Sequence, residues 1–308
     1  MILTVTLNAA LDITYRLPRL RPHGTNRVTE VSERPGGKGL NVARVLASLG
    51  HRTVATGFAG GGTGEALRAL LADTGVTDAL VPVGGASRRT VAVVDEATGD
   101  TTQLNEPGPT VSPAEWDAFL GTYRELLDGA RAVALCGSLP PGVPVDVYAR
   151  LTRAARTAGV PVLLDTSGEP LRRGLAARPD LAKPNADELA ALTGSTEPLR
   201  AARDARRRGA HAVAASLGPD GMLAVTADGV WQAAPPQRIA GNPTGAGDSA
   251  VAGLLSGLVE DLPWPERLSR AVALSAATVR APAAGEFDVA TYEELLTRVV
   301  VTDHPSAA

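Results

Sequence analysis

The sequence predicts an α/β protein, a mostly parallel, doubly wound sheet flanked by helices on both faces, with a small β-sheet lid beside it. Two observations carry this reading. From about residue 50 onward, short apolar runs alternate with helix-length amphipathic stretches, the pattern of repeated βα units. Before and within that alternation, near residues 12–34 and 88–106, stand pairs of short strands with too few apolar positions to anchor a core. These are excursions that fit a sheet covering a cleft. A chain of 308 residues is long enough for one large domain, expected over 1–302, with a disordered tail at 303–308.

In chain order, residues 2–7 read as a strand, Thr4 and Thr6 alternating with Val5 and Leu7. Residues 13–17 and 27–31 follow as lid strands, and 89–95 with 101–105 as a lid hairpin turning through Ala97-Thr-Gly-Asp100. Between them, Pro35-Gly-Gly-Lys-Gly-Leu-Asn-Val-Ala43 leads into a helix whose apolar positions are Val42, Val45, Leu46 and Leu49, stopped by Gly50. Strands are then expected at 53–57, 132–136, 161–165, 181–183 and 212–217, with a hairpin at 222–226 and 230–233. Helices are expected at 64–74, 113–127, 145–158, 169–176, 186–192 and 198–208, and three more close the chain at 246–259, 265–279 and 291–301.

Composition excludes several classes of function. A formal charge of -3 gives no global field to recruit nucleic acid or a membrane surface. The N-terminal residues lack a basic leader and no apolar run is long enough to span a bilayer, so a cytoplasmic protein is expected. Cys136 is the one cysteine, which rules out an internal disulfide, and its apolar neighbours mark a buried, inert thiol. Of 30 basic residues only Lys38 and Lys183 are lysines, which marks two places where a compact ammonium is wanted rather than a planar guanidinium.

The chemistry concentrates in Gly241-Asn-Pro-Thr-Gly-Ala-Gly-Asp248. Gly245, Ala246 and Gly247 stand where a loop turns into a helix, so bare N–H groups and the helix dipole can converge on an anion. A carboxylate at that rim would repel a phosphate, so Asp248 is better used to take a proton from a hydroxyl attacking a phosphoryl group. The Gly-rich turn at 36–39, with Lys38 and Asn41 on the first turn of its helix, offers a second anion or polyol site. Asp12 lies just past a strand end, where ligands collect in α/β sheets. Polar or glycine-rich exits at 137–142, 165–168, 183–188 and 216–221 would line one long cleft if all point to the same sheet edge.

Taken together, Pro-Gly-Gly-Lys-Gly-x-Asn-Val-Ala, Gly-Ser-Leu-Pro-Pro-Gly, Lys-Pro-Asn-x-x-Glu and Thr-Gly-Ala-Gly-Asp-Ser occur in one order along nearly the whole chain. This set resembles the ribokinase-like sugar kinases, and within them the branch of 1-phosphofructokinases and tagatose-6-phosphate kinases. The resemblance implies that Asp248 is the catalytic base and that the amides of Gly245, Ala246 and Gly247 stabilise the transferring phosphoryl group. Asp12, Gly37 and Asn41 would hold sugar hydroxyls, with Ser138 near the sugar, and Lys38 and Arg89 would hold the phosphate already on it. Lys183, Asn185, Glu188, Ser216, Gly218 and Gly221 would face ATP, with Asn185 and Glu188 as oxygen donors to a hydrated Mg²⁺. Fructose 1-phosphate, converted to the 1,6-bisphosphate, is the acceptor the branch implies. Tagatose 6-phosphate, a 6-phosphofructokinase-type acceptor and a non-catalytic sugar-phosphate sensor are the rivals. Relatives commonly carry asparagine two places after the arginine equivalent to Arg89, where this chain has Val91, and one branch carries arginine where this chain has Gln103. A homodimer joined through the lid is also expected.

Overall fold

The computed structural model describes residues 1–304. Its strands are β1 (Ile2–Thr6), β2 (Ala10–Leu17), β3 (Glu30–Gly36), β4 (Thr53–Ala59), β5 (Thr77–Pro82), β6 (Arg88–Asp95), β7 (Thr101–Asn105), β8 (Ala132–Cys136), β9 (Val162–Asp165), β10 (Leu181–Ala182), β11 (Ala212–Ser216), β12 (Met222–Val225), β13 (Val230–Ala234) and β14 (Val300–His304). Its helices are α1 (Lys38–Ser48), α2 (Gly61–Ala72), α3 (Pro113–Leu127), α4 (Val147–Thr157), α5 (Gly168–Leu175), α6 (Ala186–Thr193), α7 (Pro198–Arg207), α8 (Ala246–Val259), α9 (Trp264–Thr278) and α10 (Val289–Leu296). No described helix is long and apolar enough to cross a membrane.

Among the described residues, ten strands form one sheet in the order β14, β13, β12, β11, β10, β9, β8, β1, β4, β5. From β5 to β11 every pairing is parallel, and the three strands beyond β11 pair antiparallel. The pleat divides the core. Along β8, Val133 and Leu135 face α3 to α7, while Ala132, Ala134 and Cys136 face α1, α8 and α9. The second face is built from small side chains, which lets α8, buried at eleven of its fourteen residues, lie against the sheet. Gly253 and Gly257 of α8 let α9 in as well, since a Cβ at Gly253 would stand 2.7 Å from the Cα of Ala271.

β3, β2, β6 and β7 form a separate four-stranded sheet in that order, with β2 and β6 parallel and the outer pairs antiparallel. This is the expected lid, with shifted bounds. The strand expected at 27–31 runs instead from Glu30 to Gly36, taking Pro35 and Gly36 out of the turn, which an edge strand tolerates because one side of it needs no N–H donor. β5 was not foreseen, since Asp78 and Pro82 interrupt its apolar run; both suit the edge it occupies. The helix expected at 291–301 ends at Leu296, because the β-branched run Val299-Val300-Val301-Thr302 pairs as β14 with β13. Asp303 and His304 belong to that strand rather than to a disordered tail, and residues 305–308 lie outside the described ones.

Candidate active site

A cleft of about 1020 Å³ separates the lid from the carboxyl edge of the large sheet. Two of the four strand exits, 183–188 and 216–221, converge there, and Asp12, Gly37, Lys38, Asn41, Lys183, Asn185, Glu188, Ser216, Gly218, Gly221 and the loop Gly245–Asp248 all line it, whereas the exits at 137–142 and 165–168 line an adjoining chamber. Ser138 opens into that chamber, of about 240 Å³, which Gly37, Lys38 and Glu188 share with the cleft. There Ser138 Oγ accepts from Asn8 Nδ2 at 3.1 Å.

Asp248 sits in the first turn of α8, 7 % exposed, and its Oδ2 accepts from Asn41 Nδ2 at 2.8 Å. Burial raises its pKa to about 6, against the pull of Lys38, the Asn41 hydrogen bond and Lys183, with Asp165 adding to the rise. Gly245, left-handed at φ 85°, turns the chain into the helix. The N–H groups of Gly245 and Gly247 find no acceptor among the described residues, whereas that of Ala246 donates to Pro243 O at 3.1 Å. Of the three amides expected from sequence, those of Gly245 and Gly247 are open at the positive end of α8 and that of Ala246 is taken up by the turn. Lys183 stands beside them: a Cβ at Gly247 would lie 3.6 Å from its ammonium.

At the lid side, Asp12 presses its carboxylate into the space left by Gly36, where a Cβ would come within 2.0 Å of Cγ. Burial raises its pKa to about 6, opposed by Arg88, a hydrogen bond with Thr90, and Arg44. The strand register corrects the expected arginine. Arg88 and Thr90 lie on the cleft face of β6, and Asn105, paired with Thr90, and Gln103 of β7 line the cleft with them. Arg89 alternates to the other face, does not line the cleft, and is held by Glu106, which accepts from Nε at 3.0 Å and Nη2 at 2.7 Å. Arg88 lines both cavities and donates through Nε to Asn8 O at 3.1 Å. Counting two places on from Arg88 reaches Thr90, a cleft residue, so the polar position sought at Val91 is one residue earlier.

The far end of the cleft is mainly apolar, walled by Met222, Pro235, Ile239, Val272, Ala276 and Val279, with Arg238 and Ser275 beside them. Between the ends, Asn185 and Glu188 form a capping box on α6: Glu188 Oε2 accepts from Asn185 N at 2.9 Å, and Asn185 Oδ1 accepts from Glu188 N at 2.8 Å. Their shared helix turn is thus explained by capping, and among the described residues Glu188 Oε1 has no hydrogen-bond donor. Among the described residues no group of three or more His, Cys, Asp and Glu side chains could hold a metal.

Sequence reasoning passed over Asp165 as a plain strand exit. It is 1 % exposed, and both lysines of the chain meet it: Lys38 Nζ at 3.3 Å from Oδ2 and Lys183 Nζ at 3.4 Å from Oδ1. Burial works against the Lys38 ammonium, but Asp165, Asp248 and Glu188 outweigh it and raise its pKa. Two scarce lysines flanking one strand-end aspartate was the available signal. Arg88 and the apolar wall left weaker traces, since two adjacent arginines cannot be told apart without the register.

The chain is 42 % identical to a 1-phosphofructokinase of Rhodobacter capsulatus over 283 residues, 89 % of this chain and 90 % of that protein. It superposes on the tetrameric inhibited form of phosphofructokinase-2 from Escherichia coli with a TM-score of 0.90 and 33 % identity, covering 96 % of this chain and 98 % of the other. A ribokinase from Arabidopsis thaliana, complexed with ribose and ATP, shares the fold at a TM-score of 0.73 and 24 % identity, over 96 % and 98 % of the two chains. Residues 5–290 match the profile of the pfkB family carbohydrate kinases, and the chain belongs to that family.

Proposed function

We propose that this chain is an ATP-dependent 1-phosphofructokinase, moving the γ-phosphoryl group of ATP to the free primary hydroxyl of fructose 1-phosphate and yielding the 1,6-bisphosphate. The observation that carries the reading is the buried Asp248 beside the open amides of α8, at the junction of a cationic and an apolar half-cleft. The relative named 1-phosphofructokinase supports the choice of acceptor.

In this reading Asp248 accepts the hydroxyl proton as the oxygen attacks phosphorus. A pKa of about 6 leaves it mostly ionised at neutral pH yet close enough to receive a proton readily. Gly245 and Gly247 N–H groups, the α8 dipole and Lys183 stabilise charge on the transferring group. Asp12 and Asn41 hold sugar hydroxyls, while Lys38 and Arg88, with Ser138 near them, hold the phosphate already present. The apolar wall takes the nucleobase, and Ser216, Gly218 and Gly221 face the nucleotide. Mg²⁺ fits as an ion brought by the nucleotide phosphates and kept largely hydrated, with Glu188 Oε1 as its protein oxygen. When bound it neutralises phosphate charge.

A coupled ADP-release screen over fructose, fructose 1-phosphate, fructose 6-phosphate and tagatose 6-phosphate tests the reading. Fructose 1-phosphate should give the highest kcat/KM, and preference for another sugar would overturn the substrate assignment. The lid carries exposed Val31 and Leu104, 55 % and 59 % accessible, which supports a homodimer joined through it. Light scattering showing a fully active monomer at micromolar concentration would remove the dimer.

A further inference from the structure

The chain's two lysines come from elements far apart in sequence and serve different halves of the cleft. Lys38 opens α1 and lines both the cleft and the side chamber, whereas Lys183 follows β10 and lies against the first turn of α8. Both ammonium groups meet one carboxylate, Asp165, at the end of β9. Lys183 is almost fully enclosed, its side chain 4 % exposed, while that of Lys38 is 40 % exposed and reaches the open site. An unpaired ammonium in that enclosure would be costly, and two of them would repel each other.

The two lysines and the carboxylates of Asp165 and Asp248 carry two positive and two negative charges when both acids are ionised. Asp165 offers no solvent-facing surface for a substrate, yet it fixes where both cations stand. We propose that Asp165 is a positioning residue that couples the two half-sites: it sets Lys38 against the acceptor and Lys183 against the transferring phosphoryl group. This rests on the kinase reading above, though not on which sugar is the acceptor. Its backbone is tied in too, since Asp165 O accepts from Gly137 N at 2.9 Å, holding β9 to the loop that carries Ser138.

The test is a set of variants of the full-length protein: Asp165→Asn, Asp165→Glu, Lys38→Met, Lys183→Met, and each lysine variant combined with Asp165→Asn. Readouts are KM for ATP, KM for the sugar phosphate, kcat, thermal unfolding, and ATP binding by calorimetry without acceptor. Asp165→Asn should raise both KM values and lower kcat, weakening kcat/KM for each substrate about tenfold to hundredfold. Each single lysine variant should raise mainly its own substrate's KM, Lys38→Met that of the sugar and Lys183→Met that of ATP. In the combined variants, the loss on the side of the missing lysine should be far smaller than the product of the single losses. Asp165→Glu should recover part of the activity.

Normal KM values in Asp165→Asn with only a lower unfolding temperature would overturn the proposal, as would fully multiplicative losses in the double variants. Should Asp165→Asn fail to fold, Asp165→Glu carries the test: it must shift both KM values together, and a shift in one alone refutes the coupling. Failure of the wild type to use fructose 1-phosphate would sink the substrate assignment only, because weakened acceptor-free ATP binding in Asp165→Asn reports on Lys183 whatever the sugar.

Discussion

Two glycine-rich turns open α1 and α8, and their glycines do different work. At α1 they remove volume. A Cβ at Gly39 would meet Thr6 Oγ1 at 2.4 Å and Val5 O at 2.7 Å, and one at Gly37 would meet Thr6 Cγ2 at 2.8 Å, so the helix could not seat against β1. At α8, Gly245 is needed for its left-handed turn and for clearance from Ala284, but a Cβ at Gly247 would meet only the Lys183 ammonium at ordinary contact distance, 3.6 Å. The space over Gly247 opens into the cleft, whereas the space at Gly39 is filled by the protein itself. Similar-looking motifs thus separate into a helix seat and an open helix end, and the second carries an acid, Asp248, in the first turn of its own helix.

The sharpest way to break this contrast is Asp248→Asn. Turnover should fall about 10²- to 10⁴-fold or more while ATP and sugar still bind, measured by ADP release and calorimetry. A variant keeping a tenth of the parent kcat would remove Asp248 as base. Stability should move the other way. Because the folded pKa is raised from 3.8 to about 6, the folded state holds the proton more tightly, so this group's contribution to stability falls as pH rises from about 4 through 6. The Asn variant escapes that cost and should unfold no earlier than the parent at pH 7. For the parent, kcat/KM should climb through about pH 6 and level off above. Asp12 titrates in the same range, so Asp12→Asn must keep the acid limb if Asp248 is the base.

Arg88→Ala comes next, at the α1 end. A charge-assisted phosphate contact contributes about 1.5–3 kcal/mol, so kcat/KM for the sugar phosphate should drop roughly tenfold to hundredfold with KM for ATP nearly unchanged. Loss of both together would mean that Arg88 braces the lid instead.

A pair of alanine substitutions then tests the glycines directly. Gly39→Ala should destabilise by about 1–3 kcal/mol through overpacking against β1. Gly247→Ala should leave the unfolding temperature unchanged or higher, since alanine is the better helix former by about 1 kcal/mol, yet lower kcat severalfold by crowding the phosphoryl position. Equal stability losses in the two variants would erase the distinction drawn between the turns.

Most of the large sheet was legible because buried parallel strands are apolar runs bounded by turns, as at β8 and β9. Edges were not. β5 carries Asp78 and Pro82, and β14 was hidden because its valines also fit the end of a helix. Most of the cleft's polar lining was legible because the motifs that name it lie on consecutive residues. Asp165 escaped because its meaning lies in two lysines 127 and 18 residues away, and the choice between Arg88 and Arg89 depends on a strand phase that sequence alone left one residue out.

That one-residue phase supplies the smallest expected effect. Arg89 sits on the outer face of β6, more than half exposed, with its guanidinium on Glu106. An exposed ion pair contributes about 0–1 kcal/mol, and nothing places this guanidinium near the cleft. Arg89→Ala should therefore change kcat and both KM values by less than about threefold, beside the far larger sugar-side loss in Arg88→Ala. Its only wider consequence would run through Glu106, whose Oε2 also accepts from Arg89 N at 2.7 Å, a backbone contact the substitution keeps. If Arg89→Ala instead weakened sugar-phosphate kinetics as strongly as Arg88→Ala, the cleft face of β6 would have been assigned to the wrong residues, and Val91 rather than Thr90 would face the sugar.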